Sequence, residues 1–111
     1  MTIQYKSEVF DLTTTNLTTV LNISVSAVAI VKTVQASHMN ASNVDVDLYL
    51  KKFGGSDVEI GHAQLNKNMT NMIVNTLNLE AGDVIKMQAD VANEITGVAS
   101  YALIDRSQEN G

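Results

Sequence analysis

Val44-Asp45-Val46-Asp47-Leu48-Tyr49-Leu50-Lys51-Lys52-Phe53 carries the pattern that decides the fold. Val44, Val46, Leu48 and Leu50 fall on one side of an extended chain, and Asp45, Asp47, Tyr49 and Lys51 on the other. A period of two marks an antiparallel strand with one face in a core and one in water. Gly54-Gly55-Ser56-Asp57 follows and reads as a hairpin turn, because glycine supplies the positive φ such turns need. Val58 to Leu65 is then expected to return beside the first strand.

The same reading extends in both directions. Val84 to Val91 alternates, with Ile85, Met87, Ala89 and Val91 inward and Lys86, Gln88 and Asp90 outward. Glu80-Ala81-Gly82-Asp83 before it is a tight turn, and Asn93-Glu94 after it another. Ile95 to Ile104 closes the sheet, and residues 105–111 form a short polar tail. Met69 to Leu79 reads as one strand, or as two broken at Asn75. Upstream, strands are expected over Ile3–Leu12, Val20–Ser24 and Ala27–Ala36, with a bulge where Lys32 interrupts the alternation. Residues 13–19 are Thr-rich, an extended connection or an edge strand. Residues 37–43 are read as a loop. About eight short strands with turn signals between them predict an all-β fold, a single antiparallel β-sandwich of Ig-like or jelly-roll type.

The 111 residues make one domain, with no linker and no internal repeat. A chain of this length buries a core without covalent staples. It must do so, since it has no cysteine, which excludes disulfides, thiolate metal sites and thiol nucleophiles. Proline is absent too, so the turns rest on Gly, Asn, Asp and Ser. The net charge is −5, and of the seven basic residues only Lys51 and Lys52 are adjacent. A nucleic-acid binder needs a basic stripe to displace counterions, so neither DNA nor RNA nor an anionic membrane is an expected partner. No apolar run reaches the ~18 residues of a membrane helix, and residues 1–8 do not read as a secretory signal.

Candidate chemistry is thin. His38, in the predicted loop, and His62, within a strand, have no ligand-spaced partners and read as surface or satisfied core histidines. Asp45 and Asp47 share an outer strand face about 7 Å apart, with Asp57 and Glu59 across the turn. Four carboxylates there suit a calcium ion, a general acid–base pair or, more simply, a solvated acidic face that keeps a sheet edge from pairing with strangers. Gly54-Gly55 lacks the rest of a phosphate-binding loop, and no nucleophile-elbow sequence occurs. Asn16, Asn22, Asn40 and Asn68 head Asn-x-Ser/Thr triplets, which carry no meaning without a secretory route. No enzyme activity and no cofactor are therefore expected. Tyr49, an outward aromatic, and Met39, a loop methionine, stand out as contact residues. So do Ile3 and Tyr5 on an N-terminal arm (about residues 1–12) and Thr15 and Leu17 in the Thr-rich stretch, where unpaired backbone is open to strand addition.

Three stretches carry a resemblance. Thr14-Thr15-Asn16-Leu17-Thr18-Thr19-Val20 leads to Ala29-Ile30-Val31-Lys32-Thr33-Val34. Val44-Asp45-Val46-Asp47-Leu48-Tyr49 follows, and then Leu77-Asn78-Leu79-Glu80-Ala81-Gly82-Asp83-Val84-Ile85-Lys86. Over about residues 13–103 the chain resembles small β-sandwich virion proteins of tailed bacteriophages, particularly those of cyanobacterial phages. It departs from them at Ser24-Val25-Ser26-Ala27, where a proline is usual. The resemblance implies a head decoration or cement protein, or a neck, tail or fibre component. It implies assembly in the host cytoplasm, a place on the capsid surface, and contact with the major capsid protein or other virion proteins. It implies no catalytic residue. Shell symmetry then favours a homotrimer. The alternative from another class is a carbohydrate-binding module for host adsorption, which the absence of Trp weakens.

Overall fold

A computed structural model describes residues 2–38, 43–66, 69–74 and 76–105. Among them the chain forms strands β1 (Thr2–Leu12), β2 (Thr18–Asn22), β3 (Ala27–His38), β4 (Val44–Lys51), β5 (Asp57–Leu65), β6 (Thr70–Val74), β7 (Leu77–Leu79), β8 (Val84–Ala89) and β9 (Ile95–Asp105). Two antiparallel sheets pack as a sandwich, one ordered β1-β9-β3-β6 with β7 also on β3, the other β2-β8-β4-β5. Among the described residues no helix is long and apolar enough to cross a membrane.

The topology has a simple generator. Thr2 pairs with Asp105, Thr18 with Met87, Ala29 with Leu79, Ala36 with Asn71, and Lys51 with Asp57. In each ladder the paired residue numbers sum to between 105 and 109. The chain is thus one long antiparallel ribbon whose tip is the Gly54-Gly55 turn. Rolling that ribbon places β3 against β9 and β4 against β8, which makes the two sheets. This is the jelly-roll arrangement, and it settles the sandwich type that the alternation pattern left open.

Alternation fills the core as expected. Val44, Val46 and Leu48 of β4 and Ile85, Met87 and Ala89 of β8 are buried, facing Ala29, Val31, Val34 and Ala36 of β3. Burying one such leucine contributes about 1.5–3 kcal/mol. The Lys32 bulge is present: the β3–β9 register shifts between Val31 and Thr33, which keeps both Val31 and Val34 inward. A second close fit lies at Gly97, where an added Cβ would fall 2.1 Å from the Gln35 carbonyl oxygen and 2.4 Å from the Phe10 ring. Only glycine admits Phe10 there.

The turns use left-handed backbone. Gly54 (φ 76°), Gly82 (φ 82°) and Asn93 (φ 64°) all lie in that region. Gly82 also sits under Phe53, whose ring would lie 2.5 Å from an added Cβ. Asp83 closes its turn by donating its amide to Glu80 O at 3.1 Å.

Two expectations change and one alternative is resolved. The region expected as an N-terminal arm is an edge strand, paired to β9 through all eleven positions from Thr2 to Leu12, because its alternating residues match those of β9. Of the two readings of residues 69–79, the structure has the one with two strands, β6 and β7, both on β3, so nine strands form among the described residues. His38 is not in a loop but ends β3. The inward series Val34, Ala36, His38 continues the period of two beyond the point where polarity suggested a stop. Residues 39–42 of the expected loop and 106–111 of the expected tail lie outside the described residues.

Candidate functional site

The two outer faces of the sandwich differ in chemistry. On the four-stranded sheet, β4 turns Asp45, Asp47, Tyr49 and Lys51 outward, and the ladders set Lys86 and Gln88 of β8 beside them. β5 adds Asp57, Glu59, His62 and Gln64 opposite Lys51, Tyr49, Asp47 and Asp45. Asp47 accepts from His62 Nδ1 at 2.5 Å, and this bond raises the imidazole pKa above its usual 6.5, with the Asp47, Asp45 and Glu59 charges assisting. Lys86 Nζ lies 3.1 Å from the Asp57 carboxylate. Asp90 accepts from the Asp45 amide at 3.0 Å. Tyr49 is half-buried; its hydroxyl pKa is raised by that burial first, then by Glu59, Asp47 and Asp57.

Asp47, Glu59 and His62 bring their donor atoms within 4.8 Å of one another. Two carboxylates and an imidazole on an exposed face do not match the six to eight oxygens that calcium takes. Of the four carboxylates considered together from the sequence, Asp57 is instead engaged by Lys86. The arrangement is a network of solvated ion pairs. A shallow concavity of about 470 Å³ lies beside it, lined by Thr15, Asp45, Asp47, His62, Gln88 and Asp90. Gln88 Nε2 donates to Thr15 O at 2.9 Å, which ties the Thr-rich connection to this rim. That connection turns on itself, with Thr14 Oγ1 accepting from the Asn16 amide, and Leu17 is half-buried.

His38 is buried, its Nδ1 3.3 Å from Glu94 O and its Nε2 3.6 Å from the Glu94 carboxylate. Asp83 is also fully buried. It accepts from Lys52 Nζ at 2.6 Å and from the Glu80 and Phe53 amides at 2.8 and 3.4 Å. Burial alone would raise its carboxyl pKa; Lys52 and the two amides outweigh that and hold it below the usual 3.8. Lys52 also meets Glu80 at 2.6 Å, so these residues lock the β4–β5 turn to the β7–β8 turn.

The five-stranded sheet presents the other face. Its outward residues are Ile3, Tyr5, Ser7 and Val9 on β1, Val98, Ser100, Ala102 and Ile104 on β9, and Val28, Ile30, Lys32 and Gln35 on β3. Along β1, β3 and β9 the charged side chains on this face among the described residues are Lys32 and, at the end of β1, Asp11. The Lys32 ammonium lies 5.1 Å from the centroid of the Tyr5 ring. Tyr5 is 77% exposed and Val9 80%, with Ile3 and Ile30 also exposed.

The residues singled out from sequence thus divide. Ile3 and Tyr5 belong to the largely apolar face that carries Lys32, Tyr49 to the acidic one, and Thr15 and Leu17 to the connection beside the acidic rim. Met39 lies outside the described residues. Val9 and Ile30 were missed. The outward series Ile3, Tyr5, Ser7, Val9 was the available signal for Val9, and it needed the strand to be read as fully paired.

No family model matches the chain, and no curated protein matches it. Solved structures do. The capsid structure of Helicobacter pylori bacteriophage KHP30 superposes with a TM-score of 0.58 at 12% identity, covering 96% of this chain and 90% of that one. A disulfide-linked pilus of Bacillus endospore appendages gives 0.57 at 11%, with the same coverages. The SPBc2 prophage-derived protein YomS is weaker, at 0.47 and 10%, covering 94% and 96%. At these identities the shared property is the fold.

Proposed function

We propose that this chain is a structural protein of a bacteriophage particle, and within that class a head decoration or cement subunit held by protein–protein contacts. The observation that carries the reading is the division of the outer surface: one face nearly free of charge, the other a solvated acidic network. A subunit lying on a shell needs one face to dock and one that stays in water. Contiguous exposed apolar surface is the usual mark of a protein contact. The net charge of −5 keeps such a subunit off DNA. The likeness to the phage KHP30 capsid structure supports the reading at the level of fold. The pilus likeness lacks a basis for its covalent linkage here, because this chain has no cysteine.

In this reading the protein assembles in the host cytoplasm and remains on the virion surface, with the major capsid protein as partner. Copies at local three-fold positions would be grouped in threes by their contacts with the shell, not by a trimer formed in solution. Quantitative mass spectrometry of purified virions tests it. A copy number equal to that of the major shell protein, or a simple fraction of it, is expected. Six or twelve copies per particle would move the protein to the neck or tail, and absence from virions would overturn the reading.

A further inference from the structure

We propose that a second copy of this chain pairs with the first edge to edge across β1, antiparallel, with the two-fold axis at Ser7. Among the described residues β1 is the last strand of its sheet, with β9 on one side and no strand on the other. Its ladder with β9 runs through eleven residues without a register shift. It has no proline and no glycine. Natural edge strands are usually blunted by such features, or by charges placed to repel a newcomer. Here the only charges between Ile3 and Val9 are Lys6 and Glu8, both exposed. Their spacing makes the edge self-complementary.

With Ser7 opposite Ser7 of the second copy, Lys6 faces Glu8 of that copy and Glu8 faces its Lys6. Tyr5 and Val9 likewise form two reciprocal pairs, an aromatic against a β-branched residue, on the largely apolar face. Opposite charges and aromatic–β-branched pairs are the favourable cross-strand combinations, and like charges directly opposite are unfavourable. Sliding the register by two residues in one direction puts Lys6 against Lys6; in the other, Glu8 against Glu8. An odd slide continues the apolar face of one copy into the charged side of the next. This register therefore satisfies the centre of the edge, from Tyr5 to Val9, while at its ends Ile3 faces Asp11 and Gln4 faces Phe10. The contact is isologous, as a two-fold requires, and joins five strands from each copy into one sheet. The largely apolar faces of the two copies become a single surface.

This inference stands apart from the virion reading, since it concerns the purified chain alone. Its test is the solution mass by light scattering or sedimentation at low salt, for the full chain and two single variants. Lys6→Glu and Glu8→Lys each place like charges in both cross-pairs, and both sites are exposed, so the fold is retained; circular dichroism checks this. The unmodified chain is expected at twice the 12.0 kDa of one copy. Each variant alone is expected to dissociate at about tenfold higher concentration or more. An equimolar mixture of the two is expected to recover the pair, because the two glutamates on the edge of one variant then meet the two lysines on the edge of the other. A monomer at all concentrations, a mass three times that of one chain, variants that stay paired, or a mixture that stays monomeric would each overturn it.

Discussion

His62 meets Asp47 across the β4–β5 ladder, and the bond favours the imidazolium form. A nuclear magnetic resonance titration should therefore give a pKa above 6.5 for His62, falling back towards 6.5 in Asp47→Asn. Because the folded pKa is the raised one, any stability from the pair is present below pH 6.5 and is lost as pH rises through the folded value. The effect on stability will be small, since the ring is largely open to solvent. Asp45 and Asp47 were legible as an outer face because a period of two assigns faces without knowledge of the fold. The contact with His62 was not, because it depends on how β5 returns past a register shift between Leu48 and Tyr49. His38 was misplaced for a related reason: one polar residue at an inward position resembles a loop until its partner Glu94, 56 residues away, is in view.

The lock between the β4–β5 and β7–β8 turns belongs to the scale of elements. Its centre is Asp83, whose folded pKa lies below 3.8. A depressed carboxyl contributes stability that is complete above its unfolded pKa and is lost as pH falls through the folded one. Denaturant midpoints should thus drop as the pH is taken from 5 to below 3.8. Asp83→Asn should lower stability at pH 7 by about 1–3 kcal/mol and flatten that acid slope. An unchanged midpoint at pH 7 would show that the two turns hold without it. Strand existence was legible at this scale wherever alternation ran for several residues, as in β4 and β8, and so were the Lys32 bulge and the glycine turns. The lock was not: Lys52 and Asp83 are 31 residues apart, and nothing local marks them as partners.

At the scale of the molecule, the division into a largely apolar and an acidic face predicts how a particle would depend on it. If the largely apolar face clips shell subunits together, each contact is modest but repeated over the shell. Particles lacking the protein should assemble and then rupture at lower temperature or under milder osmotic shock. Equal robustness with and without it would remove the cementing role while leaving the fold untouched. The composition reported the acidic balance, but not the gathering of Asp45, Asp47, Asp57 and Glu59 on one face, which follows from how β4 and β5 pair. Strand order needs contacts between distant residues, and a single sequence does not display them.

The mirrored pairing of the two chain halves also bears on how such a topology can be reached. Partners are 6 residues apart at Lys51 and Asp57 but 103 apart at Thr2 and Asp105. Closed independently, the outermost pair would cost about 2.5 kcal/mol more loop entropy than the innermost. Closed in sequence from the tip, each ladder shortens the span left for the next, so no step confronts the full separation. A structure made almost wholly of long-range contacts, a slow class when its loops close at random, is in this chain a zipper whose teeth are numbered from Gly54 outward.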